Sequence, residues 1–234
     1  MDWLVDIRFG HTSAIYTGRS GQNDLHAHAA IQIIFSPLQY VELIDANGGH
    51  FSAHVLYVPP LVAHLVPAEI SCSILYIDAK SPLLSSFMGR YHQDTIHALN
   101  RDALPFELED TGPNIIAKLD EIARRDSIDR DLRLTTALEA LAERPGHVSL
   151  VEIAETVELS PSRLRALARK QLGFPLSTWV LWRKLERSAQ TLASGVSLAE
   201  AAMAGGFSDQ AHFTRTMRRM FGITPMSARY SLLS

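Results

Sequence analysis

The 234-residue sequence predicts an α+β protein of two domains, a β-rich domain followed by an all-helical one. Short β-branched and aromatic runs fill its first third, and apolar residues recur every three to four positions beyond residue 81. Charge divides the chain in the same way: residues 1–144 hold 11 Lys and Arg against 19 Asp and Glu, whereas residues 145–234 hold 11 against 6. The basic second part is therefore expected to meet a polyanion.

Residues 1–80 are predicted to form a β-barrel or jelly roll. Turn residues at 47–49 and 59–60 separate runs that are rich in β-branched and aromatic side chains. These runs include residues 30–35, 40–44, 54–58 and 70–77.

Residues 81–144 are predicted to be helical, because Ile115, Leu119 and Ile122 recur at helical spacing. These helices would cover the barrel or pair two subunits. An Arg-Pro-Gly-His stretch at 144–147 interrupts the pattern and is predicted to be a short linker.

Residues 145–234 contain an internal repeat. The pattern Ser-Leu-x-Glu-x-Ala occurs at 149–154 and again at 197–202, and its Ser-x-x-Glu spacing is that of a helix capping box. Each copy is predicted to form two short helices with a tight turn, which is the helix-turn-helix plan. A linker helix at 175–194, of about 20 residues and roughly 30 Å, would join them across nearly one DNA turn of ~34 Å.

The second helix of each copy is predicted to present an outward stripe to DNA. Apolar side chains such as Leu164 and Phe213 form the opposite, buried face. A helix laid in a major groove uses such a stripe to contact base edges and phosphates. The stripes consist of Ser162, Arg165, Ala166 and Arg169 in the first copy and of Gln210, Ala211, Thr214, Arg215 and Arg218 in the second.

Residues 148–230 resemble the AraC/XylS family of bacterial transcription regulators. The similarity is strongest over residues 201–230, where a Gly-Phe turn is followed by Phe221-Gly222 and by Pro225. The resemblance implies a sequence-specific regulator whose partners are duplex promoter DNA, RNA polymerase and a second copy of the chain. It implies base-facing positions at Ser162, Arg165, Ala166, Gln210, Ala211 and Arg215. The two alanines depart from the longer polar side chains often found there, which limits them to contacts with thymine methyl groups.

The N-terminal block resembles the small cupin sensor domains that many family members carry. His26, His28 and His64 lie where cupins place metal-binding histidines, and Gln32 follows on the same segment. His26 and His28 are two residues apart, so on a strand they would share a face, and a Pro-Pro turn can return His64 beside them. These four residues are expected to line the effector site. The three imidazoles could hold zinc or another divalent ion, or could line an apolar pocket without a metal.

Three functions remain open at this point. The favoured one is a transcription regulator controlled by a small molecule bound in the N-terminal barrel. The alternatives are a cupin-type metalloenzyme fused to a DNA-binding domain and a constitutive DNA-binding protein whose barrel only dimerises. The sequence shows no nucleophile–base pairing, phosphate loop or paired-carboxylate motif, so an enzyme is not expected.

The location is expected to be cytoplasmic, with no membrane partner. The sequence shows neither a signal peptide nor an apolar run of membrane-spanning length. Cys72 is the only cysteine, which excludes an internal disulfide and any zinc site built on a Cys-x-x-Cys pair.

Overall fold

The computed structural model describes residues 4–126, 130–143 and 149–232. It combines a sheet-rich N-terminal region with a helical C-terminal region, as predicted for a two-domain α+β chain. The predicted linker at 144–147 lies outside the described residues. Within the described ranges, no helix is both long and apolar enough to cross a membrane.

The strands form two antiparallel sheets. The larger has the order β1-β2-β8-β3-β6-β9, and the smaller has the order β5-β4-β7. The strands are β1 Leu4–Phe9, β2 Ser13–Arg19, β3 Ile31–Phe35, β4 Val41–Asp45, β5 His50–Ala53, β6 Val55–Val58, β7 His64–Leu65, β8 Ser71–Ile77 and β9 His97–Ala98.

The closed barrel expected from the sequence is not found among the described strands. Both sheets have open strand orders, because β4, β5 and β7 pair with one another instead of joining the edges of the larger sheet. The larger sheet also takes its last strand, β9, from beyond residue 80.

Successive side chains along a strand point to opposite faces of the sheet, and both faces of the larger sheet are apolar. Ile34 and Ile74 pack with Val41 and Leu43 of the smaller sheet. On the opposite face, side chains such as Ile33 join the core formed with the helices that follow the strands. The larger sheet is thus covered on both sides.

The helices confirm the periodicity seen in the sequence from residue 82 onward. They are α1 Pro82–Arg90, α2 Gly112–Arg125, α3 Leu132–Glu143, α4 Leu150–Thr156, α5 Pro161–Leu172, α6 Leu176–Ala193, α7 Leu198–Gly205, α8 Gln210–Phe221 and α9 Pro225–Leu232. Helix α6, with 18 residues, is about 27 Å long and separates the pair α4–α5 from the pair α7–α8.

The two copies of the repeat do not form the same helix cap. Ser197 and Glu200 form the predicted capping box at the start of α7. Ser149, the equivalent residue in the first copy, makes no side-chain cap hydrogen bond. The N-cap of α8 is Asp209, whose carboxylate accepts a hydrogen bond from the His212 amide. The hydroxyl of the preceding Ser208 donates a hydrogen bond to the same carboxylate.

Helix α7 packs against α6 at an unusually short distance. A Cβ atom on Gly205 would lie 2.6 Å from the Lys184 carbonyl oxygen and 1.9 Å from Ser188 Oγ. Only glycine allows the two backbones to approach this closely.

Candidate functional site

The two predicted DNA-facing stripes lie on the exposed sides of α5 and α8. On α5, Leu164, Ala168 and Leu172 are buried, which turns the opposite face to solvent. On α8, Phe213 and Met217 are buried. The exposed members of the stripes are Ser162, Arg165, Ala166, Arg169, Gln210, Ala211, Arg215 and Arg218, while Thr214 is half-buried.

Arg218 differs from the other stripe residues because it contacts the N-terminal region. Its Nε donates to Asp24 Oδ2 at 2.6 Å. The Asp24 amide in turn donates to the Gly222 carbonyl at 2.9 Å. Gly222 has φ +69°, and a Cβ there would lie 2.3 Å from the Asp24 carbonyl oxygen. The C-terminal end of α8 therefore rests directly on the segment that precedes β3.

His26, His28 and His64 form a buried cluster, called the histidine cluster below. One ring nitrogen of each residue lies within 4.8 Å of the others. The three histidines converge as predicted, and His64 returns beside His26 after the Pro-Pro turn. The strand expected for His26 and His28 is not found, because neither residue belongs to a strand run. Instead, reciprocal hydrogen bonds between the backbones of His26 and His64, at 3.0 and 2.9 Å, bring the two segments together.

Backbone carbonyl groups fix the orientation of all three rings. Each Nδ1 lies 2.9–3.0 Å from a carbonyl oxygen, which can only accept, so each Nδ1 carries the hydrogen. The accepting groups belong to Asp24, Ala30 and Val62 for His26, His28 and His64, respectively. The Nε2 atoms of His28 and His64 then face Gln32 Oε1 at 3.0 and 3.1 Å.

Burial keeps these imidazoles neutral at pH 7. It lowers the pKa of His28 to about 4, and it lowers the pKa values of His26 and His64 below their ordinary value. The neighbouring histidines add to this effect for His28 and His64, because charging one ring disfavours charging the next. Neutral imidazoles with their second nitrogen unprotonated are the form that binds metals.

The cluster also touches the C-terminal helices. The ring of His28 lies 5.6 Å from Trp182 on α6 and 6.1 Å from Phe221 on α8, centroid to centroid. The ring of Tyr76 on β8 also lies beside His28, with 5.2 Å between the two ring centroids. The histidine cluster therefore belongs to the junction between the sheets and the C-terminal helices, a placement that local sequence spacing could not indicate.

An apolar cavity of about 120 Å³ adjoins this junction and is called the interdomain cavity below. Among the residues that line it are Tyr16, Ile74 and Tyr76 from the larger sheet and Trp182, Met217 and Phe221 from α6 and α8. The Trp182 indole N–H is buried and has no hydrogen-bond partner among the described residues.

Glu186 supplies a carboxyl group to the lining of this cavity. Burial raises the pKa of Glu186 to about 7, and the nearby Arg183 guanidinium, to which it is hydrogen-bonded, opposes that shift. Asp78, at the end of the larger sheet, accepts a hydrogen bond from the Trp179 indole at 3.2 Å. These buried polar groups join α6 to the larger sheet.

The sequence comparisons match a helix-turn-helix domain and proteins that are named as regulators. A family model described as a helix-turn-helix domain matches residues 153–230. The arabinose operon regulatory protein of Salmonella typhimurium is 28% identical over 102 residues, which cover 42% of this chain and 36% of that protein. The transcriptional activator RhrA of Rhizobium meliloti is 25% identical over 177 residues, covering 74% of this chain and 52% of RhrA. This chain thus matches one third to one half of the length of these two relatives.

Solved structures of ToxT from Vibrio cholerae share the fold of nearly the whole chain. An apo ToxT variant superposes with a TM-score of 0.59 at 12% identity, covering 96% of this chain and all of that one. ToxT bound to an unsaturated fatty acid gives a TM-score of 0.53 at 11% identity, covering 99% of this chain and 96% of that one. The family model places residues 153–230 in the helix-turn-helix class. Within that class, these matches support the resemblance of the C-terminal region to the AraC family of regulators.

Proposed function

We propose that the protein is a sequence-specific DNA-binding transcription regulator whose activity a small molecule controls. The observation that supports DNA binding is the exposure of both outward stripes at the two ends of α6. With α4–α5 and α7–α8 as its two helix-turn-helix motifs, the roughly 27 Å length of α6 suits recognition helices that enter successive major grooves of the ~34 Å repeat.

The stripe residues divide into base-reading and phosphate-binding roles. Arg165 and Arg215 are suited to guanine, and Gln210 is suited to adenine, because these side chains form bidentate hydrogen bonds with those bases. Ala166 and Ala211 are suited to thymine methyl groups. Ser162 is also a base-facing position, and its hydroxyl can bond with more than one base. The remaining members, Arg169, Thr214 and Arg218, would contact phosphates and fix the register.

The proposed role as a DNA-binding regulator implies particular partners and domain boundaries. Duplex promoter DNA, RNA polymerase and a second copy of the chain are the proposed partners, in the cytoplasm. Residues 1–80 would form a cupin-related sensor, residues 81–144 a dimerisation and linker segment, and residues 145–234 the DNA-binding domain. The relatives are named as regulators, which favours regulation over catalysis.

The interdomain cavity is the proposed effector site, with His26, His28, Gln32 and His64 beside it. Its volume of about 120 Å³ is close to that of the ~150 Å³ apolar cavity that takes up benzene. The unpartnered Trp182 indole offers a hydrogen bond to an acceptor atom of the ligand. An apolar molecule with one acceptor group therefore fits best, and the fatty acid bound to ToxT belongs to that chemical class.

DNA binding is tested with the full chain and duplexes enriched from a random library. Arg165→Ala and Arg215→Ala are each expected to weaken specific binding by about 1–3 kcal/mol, roughly 5- to 150-fold, while nonspecific binding is largely kept. Arg124→Ala on α2 removes an equal charge outside the stripes and serves as the control. Failure of the wild-type chain to bind any duplex at low salt, where phosphate attraction is strongest, would refute the proposal.

A further inference from the structure

The interdomain cavity presents no basic side chain that could hold an anionic ligand. Its described lining residues include no lysine, arginine or histidine, and Glu186 is the one carboxylic acid among them. Burial raises the pKa values of the Tyr16 and Tyr76 phenols, so both keep their hydrogens at pH 7. An anionic ligand would therefore leave water for an apolar space without gaining a cation, which is costly.

Arg183 lies beside Glu186, but its guanidinium group is already committed to two carboxyl groups. It donates a hydrogen bond to Glu186 Oε2, and its Nη1 lies 3.9 Å from Asp78 Oδ2. The side chains of Arg183, Glu186 and Asp78 are only 14%, 8% and 3% exposed. When Glu186 is protonated, Asp78 balances Arg183, and these three groups together carry no net charge.

Two further cations act on Glu186 from outside the cavity lining. Burial has the largest effect on the pKa of Glu186 and raises it, whereas Lys80, just after β8, and Arg187 on α6 oppose that shift. Arg187 donates hydrogen bonds to the carbonyl groups of Ala142 and Gly205. Neither cation is among the residues that line the cavity, so neither is presented to a ligand there.

The polar groups on the lining suit a ligand group that both donates and accepts hydrogen bonds. Arg183 donates to Glu186 Oε2, and no hydrogen bond to Oε1 is found among the described residues. Protonated Glu186 carries its hydrogen on Oε1 and donates, whereas ionised Glu186 accepts. The buried Trp182 indole N–H adds a donor without a partner among the described residues. A hydroxyl group meets both requirements at one oxygen atom.

We propose that the interdomain cavity selects a small, uncharged aromatic alcohol, and that Glu186 is the residue that rejects anionic ligands. This inference rests on the proposed effector site and adds the charge and polar group of its ligand. The ring centroids of Tyr76, Trp182 and Phe221 lie 5.3–5.7 Å apart, so the lining offers an aromatic wall to a further ring. The volume of about 120 Å³ limits the ligand to about one ring. The proposal removes fatty carboxylates from the class of expected ligands.

Benzyl alcohol, benzoate and benzylammonium are the probes, because they share one ring and differ mainly in charge. Isothermal titration calorimetry uses the full chain without DNA at about pH 6, where Glu186 is mostly protonated. Benzyl alcohol is expected to bind at least about tenfold more tightly than either ion. It should also bind more tightly than toluene, which lacks the hydroxyl group.

The outcomes separate this inference from the proposed effector site. Benzoate or benzylammonium binding as tightly as benzyl alcohol overturns the selection of an uncharged ligand and leaves the effector site in place. Absence of binding by all four compounds overturns both. DNA binding is measured independently, so neither outcome bears on the outward stripes.

Glu186→Gln tests whether Glu186 rejects anions, because glutamine keeps the shape and both hydrogen-bonding functions without a charge. Benzoate is expected to bind at least about threefold more tightly to this variant, since Arg183 loses its partner carboxyl group. Benzyl alcohol should bind to it about as tightly as to the wild type. Glu155→Gln, at an exposed carboxyl group of α4, is the matched control and should change neither affinity. Unchanged benzoate binding in Glu186→Gln overturns the role assigned to Glu186.

Ala189→Leu tests whether the alcohol occupies this cavity. Ala189 on α6 belongs to the lining, and a larger apolar side chain there fills part of the space. Benzyl alcohol is expected to bind more than about tenfold less tightly, while the far-UV circular dichroism and cooperative unfolding of the chain are kept. Unchanged affinity in this folded variant would place the alcohol outside the cavity and overturn the proposal.

Discussion

Asp24→Asn is expected to strengthen DNA binding, because it releases Arg218 from the N-terminal region. In the structure the Arg218 guanidinium is held by the Asp24 carboxylate at 2.6 Å, although the sequence places Arg218 on the DNA-facing stripe of α8. An arginine in that ion pair is less available to a phosphate. The substitution removes the charge while keeping the shape of the side chain and the Asp24 backbone hydrogen bond to Gly222.

The size of the effect follows from the exposure of the pair. The two side chains are 63% and 52% exposed, and exposed ion pairs are worth at most about 1 kcal/mol. The gain in DNA affinity should therefore not exceed roughly fivefold at low salt. One additional phosphate contact should also steepen the dependence of log K on log salt by about 0.9.

Fluorescence anisotropy with a labelled duplex over a range of salt concentrations measures both quantities. Glu69→Gln is the matched control, because it removes the same charge from another exposed ion pair, that with Arg19. It is expected to change neither affinity nor slope beyond the small effect of net charge. If Asp24→Asn behaves like the control, or weakens binding, Arg218 does not exchange Asp24 for a phosphate.

Three stability predictions follow from other contacts and are checked by urea or thermal unfolding of the full chain. Gly222→Ala should lower the free energy of unfolding by at least about 1 kcal/mol, since its Cβ would meet the Asp24 carbonyl at 2.3 Å and its φ is +69°; an unchanged midpoint would contradict that contact. Ser197→Ala removes the capping box of α7 and should lower the free energy of unfolding by about 1 kcal/mol. Ser149→Ala removes no cap hydrogen bond and should lower it clearly less. Equal losses in the two variants would contradict this difference between the two helix caps. Because burial raises the pKa of Glu186 from 4.5 to about 7, its contribution to stability should be present below pH 4.5 and be lost as the pH rises through about 7. Glu186→Gln should remove that part of the pH profile, and an unaltered profile would show that folding does not raise the pKa of Glu186.

The helical half of the fold was predictable because its signals are local. Amphipathic spacing, a proline after Ser160 and glycines after helix ends depend on neighbours within a few residues. The repeat extended these signals to two motifs. The same repeat also misled, since Ser149 has the sequence of a capping box but makes no cap hydrogen bond.

The sheets were less predictable because strand pairing is not local. Short runs indicated several strands, but whether those strands close into a barrel depends on partners far along the chain. Spacing suggested that His26 and His28 share a face of a strand. Their meeting with His64 depends instead on a backbone pairing between residues 38 positions apart, which no local pattern encodes.

The contacts between the two halves explain how an event in the cavity could reach DNA. Phe221, which touches the cavity and His28, is the last residue of α8, and Arg215 lies six residues earlier on the same helix. A short helix moves as a rigid body, so displacement of Phe221 by a ligand also displaces Arg215. Binding to two successive grooves requires a fixed distance between α5 and α8. A shift of a few ångströms at the cavity would therefore change affinity for paired sites more than for single ones, without the ligand approaching the DNA.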